Sequence, residues 1–136
     1  MARAPQEVTE TELAILQVVW DQSTASRRQI TDVLYPNGGP PQYATVQKLL
    51  ERLEGKGFVR HRRGPDGVLN FTATVDREDF ISRRLSDMAD RLCGGSLTPL
   101  LMNLIRAKPL AAAEFEELQK LVKEMSQQRR RTIEKP

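Results

Sequence analysis

The stretch that most limits what this chain can become is QYATVQKLLERLEGKG, residues 42–57. Val46, Leu49, Leu50 and Leu53 recur at i, i+3, i+4 and i+7, which places them on one stripe of an α-helix. At about 100° per residue, Ala44, Lys48 and Glu51 face away from that stripe, and Thr45, Gln47 and Arg52 flank it. Gly55 and Gly57 offer the left-handed backbone positions that end a helix. A basic run, FVRHRRGPDGVLNFTA, comes directly after it. A helix that buries one side, shows small polar and basic groups on the other and leads into a basic hairpin reads as a recognition helix and its wing. Alone, the helix fits an ordinary core helix with a solvated face equally well, so its neighbours must decide.

Charge is the first neighbour to consult. The whole chain carries a net +3, too mild to name a partner. Between Gln42 and Arg63, however, Lys48, Arg52, Lys56, Arg60, Arg62 and Arg63 face only Glu51 and Glu54, a local +4 with His61 beside it. A concentrated positive surface is what a phosphate backbone attracts.

The elements before the helix complete the pattern. Residues Met1 to Glu7 read as a loose arm. Thr9-Glu10-Thr11-Glu12 has the spacing of a capping box, and helix 1 is expected to run to about Asp21, burying Leu13, Leu16 and Trp20. Ser26-Arg27-Arg28-Gln29 repeats the device. Helix 2 then runs to about Tyr35, burying Ile30, Val33 and Leu34, with Pro36 as its stop. PNGGPP lacks the Lys-Ser/Thr ending of a phosphate loop and has no strand before it, so it is a connector. Phe58–Arg63 and Val68–Ala73 are expected strands around a Gly64-Pro65-Asp66-Gly67 turn. Three short helices and a basic hairpin describe a winged helix-turn-helix, residues 1–75, in a mainly α chain with a small β-hairpin.

Beyond residue 75 the pattern changes. Ile81, Leu85, Met88 and Leu92 are spaced 4, 3, 4, a heptad seam, until Gly94-Gly95 break it. A second helix carries Leu101 and Leu104, and a third, from about Ala111 to Gln128, carries Phe115, Leu118, Val122 and Met125. Arg129-Arg130-Arg131 and the residues after them read as a basic tail. Three such helices are too few to bury their own seams, and about 60 residues make a marginal core. Residues 76–136 are therefore expected to form a helical dimerisation domain, with Ile81, Leu85, Met88, Leu92, Leu101, Leu104, Phe115, Leu118 and Val122 at the interface of a homodimer. The competing expectation is that these helices pack back on the winged helix of the same chain.

Catalysis has little support. His61 is the only histidine, and nothing near it in sequence builds a nucleophilic arrangement. Cys93 is the only cysteine, which rules out an intrachain disulfide and a cysteine-cluster metal site. No cofactor or metal is expected. No stretch approaches the roughly 18 apolar residues of a membrane span, and no signal core opens the chain, so a cytoplasmic protein without membrane insertion is expected. Side-chain chemistry suggests roles on helix 3. Lys48 is suited to guanine O6/N7 and Gln47 to adenine, while the methyls of Thr45 and Ala44 suit thymine. Arg52, Arg60, Arg62 and Arg63, with Tyr43 through its hydroxyl, suit phosphate, as do Arg27 and Arg28 at the start of helix 2.

The runs VTETELAILQVVW, YATVQKLLERLEGKGFVRHRRG and FTATVDREDF, then GGSLTPLLMNLI and ELQKLVKEM, resemble the BlaI/MecI/CopY penicillinase-repressor family from about Val8 to Met125. The resemblance implies a dimeric transcriptional repressor on a palindromic operator of double-stranded DNA, with the C-terminal helices as dimerisation lobe. In the β-lactam branch it further implies a membrane sensor-transducer with a metalloprotease part, and release by cutting of the repressor in that lobe. Carried over, the bond is Asn103–Leu104, with Leu where those repressors have Phe. Ala44 and Lys48 stand where they have Lys and Thr, which implies a different operator. The cysteine cluster of the copper-responsive branch has no counterpart here. Three other classes compete with a repressor: a winged-helix module that binds an acidic protein without reading DNA, a ligand-sensing regulator and, last, an enzyme.

Overall fold

The computed structural model describes residues 7–134. Of the expected arm, Met1 to Glu7, residues 1–6 lie outside them, and Glu7 is exposed with its carbonyl accepting from Lys56 Nζ. The chain divides into two compact units, Met1–Arg83 and Arg84–Pro136. Mostly helical with one small antiparallel sheet, the fold is the expected winged helix and then three helices.

The first unit contains α1 (Glu10–Gln22), β1 (Ala25–Ser26), α2 (Arg27–Leu34), α3 (Pro40–Gly55), β2 (Val59–Arg63), β3 (Leu69–Ala73) and the first turns of α4 (Arg77–Cys93). Both capping boxes form. The Thr9 hydroxyl accepts from the Glu12 N–H while Glu12 accepts from the Thr9 N–H, and Ser26 and Gln29 do the same for α2. The strands order β1-β3-β2, so β3 is central. Nothing in the sequence signals β1, because two residues show no alternation. Its pairing of Ala25 with Phe71 and Ser26 with Asn70 ties the start of α2 to the wing.

The core gathers Ile15, Leu16 and Val19 of α1, Ile30 of α2, the four stripe residues of α3, Val59 and Phe71. Two expected stripes need correction. On α1 the buried residues include Ile15, Val18 and Val19, while Leu13 and Trp20 are only half-buried. The indole N–H needs a partner, and Trp20 Nε1 donates to the Val75 carbonyl at 2.9 Å. Its ring meets Phe80 edge-on at 5.3 Å, which draws the start of α4 into the first unit. On α2, Val33 is exposed and Thr31 is buried in its place. Thr31 can be buried because its hydroxyl donates to the Arg27 carbonyl at 2.8 Å.

Both ends of α3 also differ from expectation. Pro40 and Pro41 are its first two residues, where a missing N–H costs nothing, so part of the connector is helix. Gly38 allows the tight approach before it, since a Cβ there would lie 2.9 Å from Tyr35 Cβ. At the other end Gly57, with φ of +86°, takes the left-handed position, and Gly55 is simply the last helical residue. The Gly57 N–H bonds to the Glu54 carbonyl and the Phe58 N–H to that of Leu53, a Schellman closure that delivers the chain straight into β2.

Ser23 ends α1 with φ of +65° and ψ of −43°, and the Thr24 N–H closes onto the Gln22 carbonyl at 2.7 Å. This is the strained γ-turn, uncommon for a residue with a side chain. Ser23→Gly is expected to raise the free energy of unfolding by about 1 kcal/mol, read as a shift of the urea midpoint at constant slope. A lower midpoint would show that the turn stores no strain.

The second unit holds most of α4, α5 (Thr98–Ala107) and α6 (Ala112–Glu134). Gly94 and Gly95, both at positive φ, end α4 where expected. The tail at Arg129-Arg130-Arg131 is instead helical, because α6 continues without interruption to Glu134. No helix among the described residues is long and apolar enough to cross a membrane.

Candidate nucleic-acid interface

The α3 helix presents two chemically distinct sides. Val46, Leu49, Leu50 and Leu53 are buried, while Ala44, Thr45, Lys48, Glu51 and Arg52 are exposed. The side chains of Lys48 and Arg52 make no hydrogen bond or ion pair among the described residues, so their charges are available. Thr45 is exposed and donates its hydroxyl to the Pro41 carbonyl at 3.0 Å.

Gln47 and Tyr43 are placed on the same helix but are already engaged. Arg27, at the first position of α2, lies with its guanidinium carbon 4.4 Å from the Tyr43 ring centre. It donates to Gln47 Oε1 at 2.6 Å, and Gln47 Nε2 donates to Glu51 Oε1 at 2.8 Å. No sequence rule joins a residue of α2 to one twenty positions later, so only the fold reveals this network. Arg28, beside Arg27, is exposed.

The wing separates three arginines that charge alone would group together. Pairing of Arg60 with Thr72, and of Arg62 with Asn70, sets those four on one face. Val59, His61 and Arg63 share the other face with Leu69, Phe71 and Ala73. The side chains of Arg60 and Arg62 make no hydrogen bond or ion pair among the described residues, whereas that of Arg63 donates to the Gly67 carbonyl of its own turn. The Gly67 N–H bonds to the Gly64 carbonyl at 2.9 Å, closing the expected β-turn. His61 Nδ1 lies 2.7 Å from Glu54 Oε1, and its ring centre is 5.9 Å from that of Phe71. It joins the wing to the end of α3.

Lys56, one of the six cations of the basic patch, turns inward. Its Nζ donates to Glu12 Oε1 at 2.6 Å and to the Glu7 carbonyl at 2.8 Å. Burial raises the pKa of Glu12, but the hydrogen bond from Lys56, those from Thr9 and the charge of Lys56 outweigh it and hold the carboxyl below its ordinary value. The fold thus assigns one of the patch's cations to a buried acid. Among the described residues no group of three or more His, Cys, Asp or Glu is gathered as metal ligands would be.

In the second unit the residues of the expected interface lie open. Leu92 is 72% and Val122 66% exposed. Met88, Leu101, Leu104 and Phe115 are exposed too, as is Ile81 in the first unit, while Leu85 and Leu118 are half-buried. Asn103 and Leu104 sit inside α5, where Asn103 Nδ2 donates to the Pro99 carbonyl at 2.8 Å. Cys93 is half-buried at the end of α4.

Known proteins share this sequence pattern. The sequence model of the penicillinase repressor family matches residues 8–124. An uncharacterised protein from the ptsI 3′ region of Latilactobacillus sakei is 28% identical over 90% of this chain and 82% of its own length. The penicillinase repressor of Bacillus licheniformis is 26% identical over 91% of this chain and 94% of its own. The solution structure of monomeric Bacillus licheniformis BlaI with the blaP half-operator is 22% identical, with a TM-score of 0.46, over 57% of this chain and 93% of that one.

Proposed function

This chain belongs to the penicillinase repressor family, and from that premise we propose that it is a DNA-binding repressor, not an enzyme, that acts as a homodimer on a palindromic operator. The carrying observation is the exposed row Ala44, Thr45, Lys48 and Arg52 on α3, together with Arg60 and Arg62 on the outer face of the wing. In this reading α3 enters the major groove, Lys48 donates to guanine O6/N7, and the methyls of Ala44 and Thr45 meet thymine. Arg52, Arg60 and Arg62 neutralise phosphates, which gives affinity without reading sequence. Arg63 donates one N–H to the Gly67 carbonyl of the wing turn and keeps its other donors for a phosphate beside it.

The dimer is supported by the apolar residues that the second unit leaves in solvent. Two-fold symmetry then requires half-sites about one helical turn, or a multiple of it, apart. Release by cutting at Asn103–Leu104 is the part of this reading that the helix constrains most. Protease clefts bind extended chain, so a metalloprotease carried by a membrane sensor acts at this bond only after α5 unwinds locally.

The test is selection of binding sites by the purified protein from random duplexes at moderate salt. An enriched inverted repeat is expected. Failure of the folded protein to bind DNA would overturn the reading and leave a protein-binding winged helix. On the enriched site, changing both Arg60 and Arg62 to Ala is expected to flatten the log–log dependence of affinity on salt by about two units, roughly one for each phosphate no longer neutralised. An unchanged slope would remove the outer face of the wing from the interface.

A further inference from the structure

Gln47 sits on the reading helix with both ends of its amide already bonded inside the protein, by groups that leave no freedom in which end is which. Arginine can only donate and a carboxylate can only accept. The Arg27 guanidinium, 2.6 Å away, therefore fixes the oxygen, and the Glu51 carboxylate, 2.8 Å away, fixes the nitrogen. A flipped amide would set N–H against a cation and an oxygen against an anion. Arg27 is itself braced by lying 4.4 Å over the Tyr43 ring. Tyr43, Gln47 and Glu51 are spaced by four on one helix, so the row runs along a single edge of α3. Each end of the amide keeps one unused site, a second lone pair on oxygen and a second hydrogen on nitrogen. These are the acceptor and donor that adenine N6 and N7 require.

We infer that Arg27 and Glu51 are specificity-determining positioning residues: together they lock the Gln47 amide so that it offers its acceptor and donor in one fixed order to a base edge. This inference rests on the proposed operator binding. It assigns a reading role to a side chain of α2 and to an acidic residue, neither of which needs to touch a base. An acidic side chain facing DNA opposes phosphate and is otherwise a liability. The lock gives it a use.

The test repeats the site selection, and measures affinity for every single-base variant of the enriched site, with Arg27→Ala, Arg27→Lys, Glu51→Ala and Gln47→Ala. Arg27→Ala and Glu51→Ala are expected to reduce discrimination about tenfold at one and the same base pair of each half-site. Arg27→Lys, which keeps a donor, should retain most of it. In the Gln47→Ala background neither change should alter preference at that pair. Simple phosphate contact by Arg27 would instead weaken all sequences equally, and simple repulsion by Glu51 would make Glu51→Ala tighten binding uniformly. Either uniform result, or a preference change that persists without Gln47, would overturn the lock. If the wild-type protein enriches no motif, the proposed function itself fails, whereas a wild-type motif unaltered in the variants rejects the lock alone.

Discussion

Lys56→Met is expected to destabilise the winged-helix unit by about 3–5 kcal/mol, the range for removing one partner of a buried ion pair. Glu12 is fully buried, and its Oε2 has no hydrogen-bond partner among the described residues. Its other oxygen accepts from both the Lys56 ammonium and the Thr9 N–H. Without Lys56 the carboxylate keeps its desolvation and loses the counter-charge that offsets it. Urea unfolding of Lys56→Met against wild type measures the loss, and a cost below about 1 kcal/mol, that of an exposed pair, would refute the assignment. The double change Glu12→Leu, Lys56→Met should recover most of the loss, because buried pairs exchanged for apolar residues are often neutral. The sign of the shift sets the pH dependence. The folded-state pKa of Glu12 is depressed, so its contribution is complete above the ordinary carboxylate range. It is lost as pH falls through the lower folded value. In Lys56→Met the remaining burial pushes that carboxyl up, so acid unfolding should begin at higher pH.

Changing Leu92 and Val122 together to Glu is expected to leave a folded monomer whose affinity for the full operator is about 10²–10⁴-fold weaker. These side chains are largely solvated within one chain, so a charge there should cost the chain's own folding little. In a dimer, however, each would place a carboxylate in an apolar seam, and the two half-sites would no longer be bound as a linked pair. Sedimentation equilibrium and titration of full and half operators provide the readout. Affinity for a half-site should be unaltered. A persisting dimer, or full-site affinity equal to wild type, would show that the interface lies elsewhere.

The legible parts of this sequence are those governed by local periodicity. Val46, Leu49, Leu50 and Leu53 are buried as their spacing demands, and both capping boxes form with the residues expected. The closing β-turn of the wing can be placed because Pro65 and Gly67 each suit one turn position. Partners distant in the chain cannot be read this way. Lys56 looks like any surface cation until α1 brings Glu12 to it across 44 residues. Arg27 shows nothing of its reach to Gln47. Arg62 and Arg63, adjacent in sequence, look alike by charge although strand alternation must send them to opposite faces. Phe80 directly precedes Ile81, the first residue of the α4 seam, and only the fold shows that its ring contacts with Trp20 and Phe58 bind it to the core of the first unit.

The two-sidedness of α3 bears on how such a protein changes over generations. Ala44, Thr45, Lys48 and Arg52 are all in solvent, while the four residues that hold the helix in place are on its other side. Surface substitutions away from special features usually alter stability by no more than about 0.5 kcal/mol. In the proposed reading, a lineage can therefore try new side chains at those four positions, and so new operators, without approaching the point at which the fold fails. Gln47 does not share that freedom. Held between Arg27 and Glu51, it can be exchanged profitably only when those two change with it, so that position should drift more slowly and in step with a residue on a different helix.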